Sequence, residues 1–204
     1  MKYFVDQKHR LAVETLLIFV LPVALLRFGL VPLSFRLIIL ACIAICVIAI
    51  IVRENWTWQE LGFRKITVAG FVTYTLATTI GVVCIILYAR GLPLSPVTSD
   101  IFFRRLLLTF IPISFLQEFL FRGFLMHMLQ KVYDDRTTIL LYNALLFAVL
   151  HSIYPFAVAT FPLVFLGGLF FAALYMQEKN IFLITFSHAI LNFVALTLGF
   201  FVIS

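Results

Sequence analysis

Seven apolar runs, most of them close to the length of a bilayer crossing, divide this chain and leave only short polar segments between them. They fall at about 11–32, 35–52, 67–89, 105–129, 138–154, 157–176 and 181–202. A helix needs roughly 20 apolar residues to cross the hydrocarbon. Lipid admits only backbones whose polar groups are satisfied internally. The expectation is therefore an all-α fold, a polytopic transmembrane helix bundle of about seven spans, with residues 1–204 forming a single integral membrane domain. Charge supports this. Only 12% of the 204 residues are charged and 64% are hydrophobic, whereas a soluble domain carries about 25% charge.

The net charge of +6 raises nucleic acid as a partner, but its placement argues for the bilayer. Lys2, Lys8, Arg10, Arg53, Arg64, Lys65, Lys131, Arg136 and Lys179 fall on one side of the seven-span path. Arg36, Arg90, Arg104 and Arg105 fall on the other. The positive-inside rule then puts the N-terminus in the cytoplasm and the C-terminus outside, in the plasma membrane. The first apolar run is long for a signal peptide, carries Glu14 and Arg27, and lacks a small-residue cleavage site, so it reads as a retained span.

Between the second and third runs, RENWTWQELGFRKI (53–66) mixes aromatics with charges and reads as an amphipathic piece at the interface. RGLPLSPVTSD (90–100) reads as a loop. Cys42, Cys46 and Cys84 lie in apolar runs with no metal or redox spacing. They are expected as small interior packing residues.

Polar residues inside the spans carry the functional information. Each charged one costs at least about 2.5–3.5 kcal/mol on insertion scales. Gln117, Glu118 and Arg122 lie in the fourth run, Asn143 and His151 in the fifth, His188 and Asn192 in the seventh. Residues four apart share a helix face. Ser114, Glu118 and Arg122 make one stripe, Asn143, Phe147 and His151 a second, His188 and Asn192 a third. Gln117 sits one position round from the first. Taken singly, each has a plain structural role: Glu118 with Arg122 as a buried pair, either asparagine as interhelical glue, a histidine as a packing residue. Together they fit a hydrolytic centre, and ion relays or transport sites collect the same residue types. His9 and His127, near run ends, read as interfacial or solvated. Gly167 and Gly168, with Ala172 and Ala173, read as a surface for close helix approach. Two histidines could serve a zinc ion, yet HExxH and an obvious third ligand are missing. The expectation is no cofactor and no bound metal.

The stripes also carry a resemblance. QEFLFRG (117–123), FAVLH (147–151) and HAILN (188–192) resemble the EExxxR, FxxxH and HxxxN motifs of the CAAX-protease and bacteriocin-processing family, called CPBP or Abi. That family includes the type II CAAX prenyl endopeptidases. The motif order matches, Gly167 and Gly168 stand where the family has a glycine-rich stretch, and the resemblance spans about 60–200. It implies an intramembrane endopeptidase acting on a peptide or membrane-protein substrate. It also implies roles: the first motif glutamate and His151 activate a water, His188 and Asn192 stabilise the oxyanion, and Arg122 holds Glu118. This chain departs from the pattern at the first glutamate, which is Gln117. An amide orients a water but does not take its proton, and losing a general base costs about 10²–10⁴-fold. Three readings follow: an inactive relative, an enzyme whose base is Glu118 or His151, and an engineered inactive form. The rival functions are a non-catalytic membrane scaffold or immunity protein of the same fold and a proton-coupled transporter. The lack of an inverted repeat weighs against the transporter.

Overall fold

In a computed structural model of the chain, the described residues are 2–92, 94, 108, 110–153 and 157–200. Their secondary structure is entirely helical. The first segment runs continuously through α1 (Lys2–Thr15), a π-helical turn (Leu16–Val20) and α2 (Leu21–Arg27). After it come α3 (Arg36–Arg53) and α4 (Val68–Ala89). The fourth segment is α5 (Ile111–Glu118), a π-helical stretch (Phe119–Leu125) and α6 (Met126–Val132). The last three are α7 (Arg136–Leu150), α8 (Ala157–Gln177) and α9 (Ile181–Thr197). Among the described residues, about seven helical segments match the expected bundle. Five helices among the described residues are long and apolar enough by themselves to cross a membrane, and Ile181–Thr197 is a shorter apolar helix. Arg104, Arg105 and most of the 90–100 loop lie outside the described residues.

Local chemistry sets the helix starts. Thr67 Oγ1 accepts from Gly70 N at 2.9 Å to cap α4. Asp135 accepts from Thr138 N at 2.7 Å to cap α7. Asn180 accepts from Phe182 N and Leu183 N at 3.1 Å to cap α9. Each satisfies donors that a helix leaves open at its first turn.

The outward faces of the helices are apolar, with Ile45, Val52, Leu76, Leu87 and Leu166 all exposed. A soluble protein would bury such side chains, whereas a lipid-facing surface calls for them. The three cysteines are on this outer surface too, not in the interior as expected. In hydrocarbon a thiol gains nothing from being hidden, so composition gives no cue to its facing.

One end of the bundle gathers the basic residues. Arg10 Nη1 meets Glu54 Oε1 at 3.0 Å, and Lys131 Nζ stands 4.4 Å from the Trp56 ring centroid. Across this end lies the 54–66 segment, folded as a strap of turns. Leu61 is fully buried. Trp56 packs on Phe124 and His127, with centroids 5.6 and 4.4 Å away. His127 is therefore buried against an indole and not solvated. Polar contacts tie the strap to α8 and the start of α9. Tyr175 OH donates to the Leu61 carbonyl at 2.8 Å, Ile181 N to the Gly62 carbonyl at 2.8 Å, and Asn180 Nδ2 to the Arg64 carbonyl at 3.0 Å. Gly62 has φ +87°, and a β-carbon there would stand 2.2 Å from the Tyr175 hydroxyl. Glycine is required on both counts.

Candidate active site

The fourth segment changes its winding where its polar residues lie. α5 carries Ser114, Gln117 and Glu118, and the π-helical stretch begins at the next residue. Its seven residues, Arg122 included, are all buried. Such π stretches are uncommon and concentrate at functional sites. Asn143 of α7, itself fully buried, donates to the Phe121 carbonyl inside this stretch at 2.8 Å. The asparagine thus pins α7 to the irregular turn, which is the interhelical role its residue type suggests.

Arg122 has no exposed surface. A guanidinium at this depth is tolerable only with compensation, and it has three kinds. Glu118 Oε2 lies 3.2 Å from its Nε. The Gly168 carbonyl accepts from Nη2 at 3.1 Å. The Phe147, Phe171 and Phe121 rings surround its carbon at 4.6, 5.7 and 5.9 Å, within cation–π range. Gly168 is also where α8 meets α7: a β-carbon there would stand 3.2 Å from Ala144 Cα and from Phe147 Cδ1. The close approach that lets its carbonyl reach Arg122 depends on the missing side chain.

The other oxygen of Glu118 faces α9. Oε1 lies 2.6 Å from His188 Nδ1. Phe147 and Phe171 flank the His188 ring, both at 5.5 Å. The imidazole is fixed by a carboxylate behind it and a ring on each side.

His151 ends α7 and opens a short 3₁₀ turn. Its Nδ1 is 2.8 Å from the Phe147 carbonyl. A carbonyl only accepts, so Nδ1 carries the hydrogen and Nε2 of the neutral ring carries the lone pair. Asn192 Nδ2 donates to Ser114 Oγ at 3.3 Å, joining α9 to α5.

His151, His188 and Asn192 line one cavity of about 280 Å³, whose remaining walls come from α4, α7, α8 and α9. Glu118 is not part of that lining; it stands behind His188. Gln117 faces elsewhere. It lines a smaller cavity of about 80 Å³ with His151 and Arg36, among side chains of α2, α3 and the π turns. Its Oε1 is buried without a hydrogen-bond partner. The structure thus brings the seven polar residues into one connected region and divides it into two chambers that meet at His151.

Residues 98–194 match the family model described as type II CAAX prenyl endopeptidase Rce1-like. The matched stretch contains all three motifs, and the family is the one that the motif resemblance pointed to. No curated protein and no solved structure matched the chain. In this Rce1-like segment, two contributors were not identified from the residues alone. Gly168 acts through its carbonyl, and a backbone acceptor leaves no side-chain signature. Phe171, which cages Arg122 and His188 together with the motif residue Phe147, carries nothing in sequence that sets it apart among the 24 phenylalanines.

Proposed function

We propose that this protein is an intramembrane endopeptidase that cleaves a peptide near the membrane surface. The observation that carries it is the joint placement of His151, His188 and Asn192 on one cavity, with the Glu118–Arg122 pair behind His188. In this reading a water stands beside His151 and Gln117. Gln117 orients it through its amide oxygen, and His151 Nε2 takes its proton as the hydroxyl attacks the scissile carbonyl. Asn192 Nδ2 and His188 Nε2–H donate to the oxyanion, in the manner of preorganised donors elsewhere. The proton held on His151 then passes to the leaving amine. Glu118 and Arg122 are positioning residues that fix the His188 ring.

Fitting substrates are a CAAX-type C-terminal segment, a bacteriocin precursor or a sorting segment. The end bearing Arg10, Arg64, Lys65, Lys131 and Lys179 is cytoplasmic in this proposal, with the N-terminus inside and the C-terminus outside. We assign no zinc to the site. Glu118 is engaged by Arg122 and His188, and no three His, Cys, Asp or Glu side chains gather as a ligand set among the described residues. Stoichiometric zinc in the purified protein, lost on His151→Ala, would overturn that assignment.

The deciding experiment is cleavage of a panel of such peptides by the protein in liposomes, compared with His151→Ala and Asn192→Ala. Cleavage by the parent that either substitution abolishes is the expected result. Gln117 favours a second reading, a scaffold or immunity protein that keeps the fold without the base. Parent cleavage unaffected by both substitutions would remove the site from consideration. No cleavage by any variant, Gln117→Glu included, would leave the scaffold reading in place.

A further inference from the structure

α5 and α9 meet through two polar rungs. Glu118 Oε1 and His188 Nδ1 make one at 2.6 Å, and Ser114 Oγ and Asn192 Nδ2 make the other at 3.3 Å. Ser114 lies one turn before Glu118, and Asn192 one turn after His188. The rungs therefore stand about 6 Å apart along an antiparallel crossing. The first holds an imidazole and the second an amide. Ser114 has no exposed surface, and a buried hydroxyl is costly without a partner. Most hydroxyls in these helices find one close by: Thr75, Thr79, Thr185 and Thr197 each donate to the carbonyl one turn back in their own helix. Ser114 instead accepts a hydrogen bond from another helix, and its donor is a residue of the cavity that also holds His151 and His188.

We propose that Ser114 is a positioning residue for peptide cleavage: by accepting one amide hydrogen from Asn192 it fixes which end of that amide is offered to the oxyanion. This rests on the peptidase reading and adds to it a residue outside the three motifs. The last torsion of an asparagine side chain is broad and roughly two-fold, so an unheld amide turns Nδ2 or Oδ1 to a given side with little preference. The difference matters here, because an oxyanion is stabilised by the N–H donor and repelled by the carbonyl oxygen. An amide nitrogen carries two hydrogens. Ser114 accepts one, and the second stays available to an acceptor in the cavity.

Two measurements on the full chain in detergent micelles test this without relying on turnover. The first is magnetic resonance of the asparagine side chains. The chain has four asparagines, Asn55, Asn143, Asn180 and Asn192, so isotope labelling of asparagine gives four side-chain amide signals, and Asn192→Ala assigns the one of interest. Ser114→Ala is expected to shift and broaden the Asn192 signal. The Asn143 signal, held by the Phe121 carbonyl nearby, should stay in place and so report that the local fold is intact. The second measurement is the affinity for two synthetic peptides of one CAAX-type sequence. One carries a phosphinate, whose tetrahedral anion stands in for the oxyanion; the other carries an N-methylated amide that resists cleavage. The parent should prefer the phosphinate. Ser114→Ala should cut that preference roughly tenfold with amide affinity unchanged, less than the about 10²–10³-fold cost of deleting an oxyanion donor outright. Ser114→Cys, nearly the same shape but a weaker acceptor, should fall between, and it carries the comparison if Ser114→Ala disturbs Asn143. In the Asn192→Ala background Ser114→Ala should have no further effect. A preference or an Asn192 signal that both Ser114 variants leave unmoved would overturn the role of Ser114 and leave the peptidase reading standing. A parent that binds the two peptides equally would overturn the peptidase reading itself, and the role of Ser114 with it.

Discussion

Glu118 Oε1 and His188 Nδ1 are 2.6 Å apart, although they belong to helices 70 residues apart in the chain. With Arg122 on its other oxygen, this carboxylate is committed on both sides and lines neither chamber. A general base must reach its water. The geometry therefore argues against Glu118 as a stand-in for the missing first glutamate and in favour of His151.

Gln117→Glu should create or raise peptidase activity by roughly 10²–10⁴-fold. The gain should vanish in the double variants with His151→Ala or Asn192→Ala. Assays on one identified substrate check this. A parent already as active as Gln117→Glu would mean that position 117 is not a crippled base.

Arg122→Gln should destabilise the bundle by about 3–5 kcal/mol, the usual cost of leaving one buried charge behind. Arg122→Lys keeps the charge but loses the stacking on Phe147 and the fork that reaches both Glu118 and Gly168, so its stability should fall between parent and Arg122→Gln. Unfolding in detergent, followed by helix signal, ranks the three.

Gly168→Ala and Gly167→Ala should act in opposite directions. A methyl at 168 meets the Ala144 backbone at 3.2 Å and should cost about 1–3 kcal/mol. A methyl at 167 meets nothing within 4 Å among the described residues and should gain up to about 1 kcal/mol from helix propensity. Thermal unfolding of the two single variants is the measurement, and equal shifts would contradict the packing described.

Glu54, outside the spans, is held below its ordinary carboxyl value of 4.5 chiefly by the hydrogen bond from Arg10. A depressed carboxyl stabilises the fold above that ordinary value and loses the contribution as pH falls through its lower, folded value. Being a surface pair, it contributes at most about 1 kcal/mol. The anchoring of α1 to the strap should therefore weaken below about pH 4.5, and Glu54→Gln should remove that dependence. Limited proteolysis of the strap across pH reads it directly.

Much of this arrangement was legible from residue spacing. Three polar stripes on otherwise apolar runs located the helices that meet, because hydrocarbon leaves such side chains nowhere else to go. Which oxygen of Glu118 met which partner was not legible, since that depends on how α5 and α9 cross and on the π-helical winding after Glu118. Gln117 was expected beside the others, and a 100° turn was enough to face it into a separate chamber. What the strap docks on was not legible for a similar reason. Trp56, Leu61 and Phe63 serve equally for resting on lipid headgroups or for covering a bundle end, and only the partners at Tyr175, Asn180 and Ile181 decide between the two.

The strap has a consequence for how the molecule is made. The Leu61 carbonyl takes its hydrogen bond from Tyr175, 114 positions later, and the Gly62 carbonyl takes its own from Ile181. During synthesis the first two spans and the strap emerge well before either donor exists. The early third of the chain must wait in the membrane with its strap undocked until the last hairpin inserts. Truncation after α7 should therefore yield a protein whose strap is cut rapidly by protease, and a chaperone or insertase that shields Leu61 and Trp56 would act in that interval.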